Sequence, residues 1–138
     1  MNLSKSKVLI VEDEAILALS VKELVLKYGY EVAGMASNFT DAVRISKEEA
    51  PDLVLMDIRI NGNKDGIDTA REIKDICGAS VVFITAYSDS VLFERCLSIN
   101  PSGYIEKPFR EQELRNAIRI ALNQRLFNMG RNNTFFKT

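Results

Sequence analysis

Five short runs of apolar, largely β-branched residues, each followed by a stretch with helical spacing, constrain this chain more than any other feature. The runs occupy residues 8–11, 31–36, 53–56, 81–85 and 104–106. Unbroken apolar runs of this kind suit strands buried on both faces of a parallel sheet. Between them Leu17, Val21, Leu24 and Tyr28 recur at helical spacing, with Gly29 as the stop. Residues 39–49 read as a second helix capped by Asn38. Ala70, Ile73 and Ile76 mark a third, and residues 90–98 a fourth with the weakest stripe. Leu114, Ile118 and Ala121 mark a fifth over residues 111–127. Strand–helix alternation with short links requires right-handed crossovers. The expected architecture is therefore α/β: a doubly wound, five-stranded parallel sheet in a three-layer α/β/α sandwich, with ligands outside the carboxyl ends of the strands.

The 138 residues are enough for one domain, placed at residues 1–127. Residues 128–138, NMGRNNTFFKT, lose the periodicity and read as a frayed C-terminal tail or the start of a linker. Eighteen basic and nineteen acidic residues give a formal charge of −1, which suits neither direct nucleic-acid binding nor an anionic membrane surface. The start, MNLSKSK, leads into an apolar run too short for a signal-peptide core or a membrane span, so the expected location is cytoplasmic. Cys77 and Cys96 lack CxxC spacing and fall in helical stretches, as reduced, packed thiols do. Histidine is absent, which removes histidine metal sites, Ser-His-Asp and Cys-His nucleophiles and any internal phosphohistidine.

The remaining chemistry runs on carboxylates, a hydroxyl and a lysine. The first strand ends in VLIVEDE and the third in LVLMDIRI, placing Glu12, Asp13 and Asp57 on one sheet edge. Two like charges about 4 Å apart repel by ~4 kcal/mol at an effective dielectric near 20, so three converging acids call for a cation or a proton. Mg²⁺ fits a thin shell of one or two carboxylates with water and a phosphate. Asp57 is then the nucleophile that takes a phosphoryl group. Thr85 ends the fourth strand and Lys107 follows the fifth, supplying a hydroxyl and an ammonium for phosphoryl oxygens. Taken singly, acids after a strand serve as helix caps, Thr85 as a turn residue and Lys107 as a solvated charge. Their coincidence on four strand ends carries the inference.

With these residues in place, the chain resembles the receiver domains of two-component response regulators from Lys7 to Leu122. The resemblance implies a flavodoxin-like fold with strand order 2-1-3-4-5. It makes Asp57 the phospho-acceptor, Glu12 and Asp13 the acidic pair, Thr85 the switch hydroxyl and Lys107 the phosphate-binding lysine. It also places the switch aromatic at Tyr104, a metal-ligating backbone carbonyl at Arg59 and a cis bond before Pro108 in GYIEKPF. Arg59 and Tyr87 fall at two variable positions that affect phosphoryl hydrolysis, and their size implies restricted water access. The loop IRINGNKDG departs from the family, with Asn61 in place of the usual proline and Gly66 about one residue late.

The function implied is a phosphorylation-activated switch, not an enzyme acting on a metabolite, with slow Mg²⁺-dependent autophosphorylation and aspartyl-phosphate hydrolysis of its own. Its donor would be a sensor histidine kinase, a phosphotransfer protein or a small acyl phosphate. Its output surface, formed by the fourth helix, fifth strand and fifth helix, would take a protein partner or a second copy. Three other readings compete. One is a non-phosphorylated pseudo-receiver acting as an interaction module, disfavoured by the complete set Asp13, Asp57, Thr85 and Lys107. A Mg²⁺-dependent phosphohydrolase would need a second acid where Arg59 stands. A flavin or dinucleotide binder would need a glycine-rich phosphate loop that is missing here.

Overall fold

The structure is a computed structural model that describes residues 5–86 and 89–137, with side chains described as far as residue 127. In chain order the elements are β1 (Lys7–Val11), α1 (Ala15–Lys27), β2 (Glu31–Ala36), α2 (Phe39–Glu49), β3 (Leu53–Met56), α3 (Gly66–Cys77), β4 (Ser80–Thr85), α4 (Ser90–Leu97), β5 (Gly103–Glu106) and α5 (Glu111–Lys137). The strands form one parallel sheet in the order β2-β1-β3-β4-β5.

Successive residues of a strand point to opposite faces, so a strand covered on both sides must be apolar at every position. In β1, Val8 and Ile10 pack with Val21 and Val25 of α1 and Leu114 and Ile118 of α5. Leu9 and Val11 pack on the other face with Ala42 and Ile45 of α2 and Ile67 and Ile73 of α3. β3 and β4 repeat the division, Leu55 and Val82 on one side, Met56 and Phe83 on the other. Burial at alternate positions therefore sorts the helices into two outer layers.

Local chemistry sets the helix ends. Asn38 accepts a hydrogen bond from the Asp41 amide at 2.9 Å and caps α2, while Asp65 and Asp89 cap α3 and α4. Gly78 closes α3 at φ 68°, a left-handed conformation that glycine adopts without a Cβ penalty. Cys77 and Cys96 are unpaired thiols, and burial pushes the Cys96 thiol up to about 11. Among the described residues no helix is long and apolar enough to cross a membrane.

The fifth helix corrects the sequence reading, because its backbone stays helical past residue 127 to Lys137 where a frayed tail is expected. The apolar stripe fades there, yet no proline interrupts the segment. Its one glycine, Gly130, costs only about 1 kcal/mol relative to alanine. Adding a residue to an existing helix is far easier than nucleating one, so the backbone hydrogen bonds continue.

The layered core predicts sharply unequal costs of truncation. Leu55, 1% exposed, should lose about 3 kcal/mol as Leu55→Ala, whereas Ile16, 86% exposed, should lose almost nothing as Ile16→Ala. Asn38→Ala should cost about 1 kcal/mol through its lost cap. Urea unfolding of the three variants measures all of these.

Candidate functional site

The parallel sheet brings its four chemically informative strand ends to one edge. Pairing continues one residue beyond β1 and β3, since the Glu12 amide donates to Ala36 O at 2.9 Å and the Asp57 amide to Val11 O at 3.0 Å. Both acids thus begin from backbone fixed by a neighbouring strand. The Lys107 amide donates to Thr85 O at 2.8 Å, which fixes the lysine in the same way beyond β5.

From these positions Glu12, Asp13 and Asp57 each offer a carboxylate oxygen, and the three oxygens lie within 4.8 Å of one another. Glu12 and Asp57 are buried and Asp13 is exposed. The Lys107 ammonium joins the two buried acids, 2.7 Å from Glu12 Oε1 and 2.9 Å from Asp57 Oδ2. Thr85 is fully buried at the end of β4. The Glu14 amide donates to Glu12 Oε2 at 3.1 Å, so Glu12 also shapes the start of α1, where Glu14 makes no side-chain cap.

Burial dominates the electrostatics of Glu12 and lifts its carboxyl from 4.5 to about 7, helped by the charge of Asp57 and opposed by Lys107 and the Glu14 amide. For Lys107, burial pulls the pKa down, but its bonds to Glu12 and Asp57 outweigh that and the net shift is upward. One lysine cannot neutralise three carboxylates. The remaining negative charge and the all-oxygen donor set fit a hard divalent cation such as Mg²⁺.

The loop from β3 to α3 forms one wall. The Arg59 amide donates to Asp57 Oδ1 at 3.3 Å, and the Arg59 side chain is exposed. Asn61 donates its amide to Ser37 O at 3.0 Å and bridges Asn38 in parallel, while the Lys64 ammonium sits 4.4 Å above the Phe39 ring. This explains the departure at residue 61: proline has no amide hydrogen to make that bond. Gly66 is a residue whose structural role sequence reasoning missed. A Cβ there would collide with the Asp57 carbonyl, lying 2.7 Å from Asp57 C and 2.8 Å from Ile58 Cα. The signal was available, since glycine is a poor residue inside a helix unless backbone must approach closely.

Tyr104 is half-buried on β5 and meets Phe93 of α4 edge to face, with ring centroids 5.0 Å apart. The Lys107-Pro108 bond is cis. Tyr87 lies outside the described residues.

Known proteins match this chain in sequence and fold over most of its length. Residues 8–119 match the family described as the response regulator receiver domain. The chain is 37% identical over 118 residues to the transcriptional regulatory protein PdtaR of Mycobacterium tuberculosis, covering 86% of this chain but 57% of PdtaR. It therefore spans little more than half the length of that relative. It is 34% identical to the chemotaxis protein CheY of Bacillus subtilis, covering 85% of this chain and 98% of CheY. Among solved structures, the signal receiver domain of a modulated diguanylate cyclase from Desulfovibrio desulfuricans superposes with a TM-score of 0.85 at 33% identity, covering 91% of this chain and 99% of that one. The receiver domain of sensor histidine kinase PA1611 from Pseudomonas aeruginosa, solved with a magnesium ion coordinated in its active site cleft, gives a TM-score of 0.76 at 26% identity. That match covers 87% of this chain and 99% of the other.

Two outcomes test the geometry. Gly66→Ala should destabilise by about 1 to 3 kcal/mol through overpacking, and Asn61→Pro by about 1 kcal/mol through one lost hydrogen bond, both read by urea unfolding. Glu12 has a raised folded pKa, so between 4.5 and about 7 the folded state binds more protons than the unfolded state. In metal-free buffer the Glu12 contribution to stability should therefore decline as pH rises through that window, and Glu12→Gln should flatten the decline in thermal unfolding.

Proposed function

This chain belongs to the response regulator receiver domain family of two-component systems, and from that premise we propose that it is a phosphorylation-activated switch that accepts a phosphoryl group on Asp57. The family consists of signalling proteins, not enzymes of metabolism, and receiver domains typically bind Mg²⁺. The observation that carries the reading is the Lys107 ammonium shared between buried Asp57 and Glu12.

In the proposed reaction a carboxylate oxygen of Asp57 forms a bond to phosphorus. The phosphorus–nitrogen bond of a phosphohistidine donor breaks, and its electron pair leaves with the imidazole, which takes up a proton. A small acyl phosphate would react alike, losing its carboxylate. The donor must be a separate molecule or segment, because this sequence contains no histidine. Mg²⁺, held by Glu12, Asp13, Asp57 and the Arg59 carbonyl, would supply charge neutralisation for the transferring group. Lys107 is already within hydrogen-bond reach of Asp57 and provides a cation for the added oxygens. Thr85, at the same sheet edge, provides a hydroxyl donor.

Shifting a two-state equilibrium from 1:99 to 99:1 requires ~5.5 kcal/mol, and two charge-assisted hydrogen bonds of roughly 1.5 to 3 kcal/mol each supply most of it. As Thr85 moves toward the phosphoryl group, Tyr104 rotates inward and its edge-to-face contact with Phe93 changes. The surface of α4, β5 and α5 is the proposed site for a downstream protein or a second copy, in a cytoplasmic setting. Residues 1–127 would act as the receiver, with residues 128–138 as a C-terminal tail or the start of a linker. Exposed Arg59, together with Tyr87, would limit water at the aspartyl phosphate.

Intact-mass measurement with acetyl phosphate and Mg²⁺ tests the proposal. Wild type should gain one phosphate-sized increment and Asp57→Asn none. Lys107→Met should slow the gain by about 100-fold. Thr85→Ala should still accept phosphate but lose the phosphorylation-dependent change in amide exchange across α4 and β5. A gain surviving in Asp57→Asn refutes the acceptor, and no gain in wild type favours a pure interaction module.

A further inference from the structure

Arg95 on α4 reaches across to the start of α3. Its Nη1 lies 2.8 Å from Asp65 Oδ2, and its Nη2 lies 3.5 Å from Asp65 Oδ1 and 3.4 Å from Asp68 Oδ1. Asp65 is already engaged as the cap of α3, its Oδ1 accepting from the Ile67 and Asp68 amides at 2.9 Å each. The Thr69 hydroxyl, fully buried, donates to Asp65 O at 2.8 Å and holds the same residue from behind.

Gly66 follows directly. Its amide donates to Ile58 O at 2.6 Å, and its α-carbon is pressed so closely on the Asp57 peptide that no Cβ fits between them. The path from the Asp57 carbonyl to the Arg95 guanidinium therefore runs through backbone contact, one peptide link and one two-toothed ion pair. Besides Arg95 it passes through one side chain, that of Asp65, whose Oδ1 is held by two backbone amides. A displacement of the Asp57–Ile58 peptide is passed to the first turn of α3, because close-packed groups shift together instead of deforming.

α4 is the element such a displacement would move most readily. Among the described residues its one buried residue is Cys96, with further anchorage from partly buried Leu92, the Phe93–Tyr104 ring pair and Arg95. The Phe93–Tyr104 contact ties α4 to β5, whereas the Arg95 pair ties it to the acceptor loop on the opposite side.

We propose that Arg95 is a positioning residue that couples the Asp57 loop to α4 through Asp65 and Gly66, a second route beside the one through Thr85 and Tyr104. This rests on the reading of Asp57 as the phospho-acceptor. The pair is part-exposed, so it sets the register of α4 on α3 more than it contributes to global stability. Coupling of this kind is reciprocal: a partner that shifts α4 also alters the setting of Asp57.

Hydrogen–deuterium exchange on the full chain, with and without acetyl phosphate and Mg²⁺, tests the coupling in Arg95→Met, Arg95→Lys and Asp65→Asn. Arg95→Met removes the charge and keeps an apolar stem. Asp65→Asn retains a cap acceptor for Ile67 and Asp68 while weakening the pair. In the resting protein both should raise exchange of α4 amides by roughly two- to five-fold, the equivalent of one exposed ion pair, and leave α1 and β1 unchanged. The double variant should add little to either single change, and Arg95→Lys should restore part of the protection. With acetyl phosphate, the mass gain should persist in every variant while the response of α4 falls to half or less. Wild-type α4 exchange in Arg95→Met, additive single effects, or exchange raised equally in all helices would each overturn the coupling. If wild type itself takes no phosphate, the acceptor reading fails, and the resting-state cycle still decides whether the Arg95 pair seats α4.

Discussion

Two carboxylates buried side by side at the end of a sheet are unstable company, and the ammonium of Lys107 is what makes the pairing tolerable. At about 4 Å and an effective dielectric near 20, like charges repel by ~4 kcal/mol, comparable with the entire margin by which many domains stay folded. Lys107 answers Glu12 and Asp57 at once, at 2.7 and 2.9 Å. It can do so only because its amide is fixed to Thr85 and because Asp57 and Glu12 continue the backbone pairing of β3 and β1. Sheet register is therefore an electrostatic requirement as well as a packing one. A one-residue slip of β3 would turn Asp57 toward the apolar layer of the helices. The shared lysine also leaves the site responsive, since new negative charge at Asp57 changes how one ammonium is divided among its neighbours.

The walls of the site are set by backbone geometry more than by side chains. Gly66 permits α3 to begin in contact with the Asp57 peptide, and the Asn61 amide fastens the intervening loop to Ser37 beside α2. The Lys64 ammonium over Phe39 adds a second attachment. A loop that differs from its family in spacing and in a proline is thereby held at both ends. The substitution at residue 61 exchanges a stiff φ for a donated hydrogen bond, two different means of limiting the same freedom.

What the sequence reveals follows from which interactions are local. The strands are legible because burial on both faces leaves unbroken runs such as VLIV and LVLM, and the helix starts because Asn38 sits one residue ahead of α2. The acidic cluster is legible because a parallel sheet sends all carboxyl ends to one edge, so Glu12, Asp13 and Asp57 meet without any knowledge of distances. The extra turns of α5 are not legible, because the apolar stripe marked by Leu114, Ile118 and Ala121 does not continue through residues 128–137. The close approach at Gly66 and the reach of Arg95 to Asp65 are hidden for another reason. Each depends on residues from separate elements, and neither leaves a periodic trace.

The unequal anchoring of the helices bears on how the proposed phosphorylation of Asp57 would move part of this molecule and leave the rest in place. α3 buries Gly66, Ile67, Thr69, Ala70 and Ile73, whereas α4 buries Cys96 alone. Fully burying one aliphatic side chain is worth about 1.5 to 3 kcal/mol, so displacing the whole of α3, as opposed to shifting its first turn, would cost several times what one new charge-assisted hydrogen bond returns. α4 stands on the other side of that comparison. Its single buried thiol, the partly buried Leu92, a ring contact and a part-exposed ion pair are a lighter set of anchors, closer to what one or two phosphoryl hydrogen bonds supply. A helix that buries a single side chain is thus the one whose position the proposed acceptor would control most readily, and its light anchoring is a condition of switching rather than a defect of the fold.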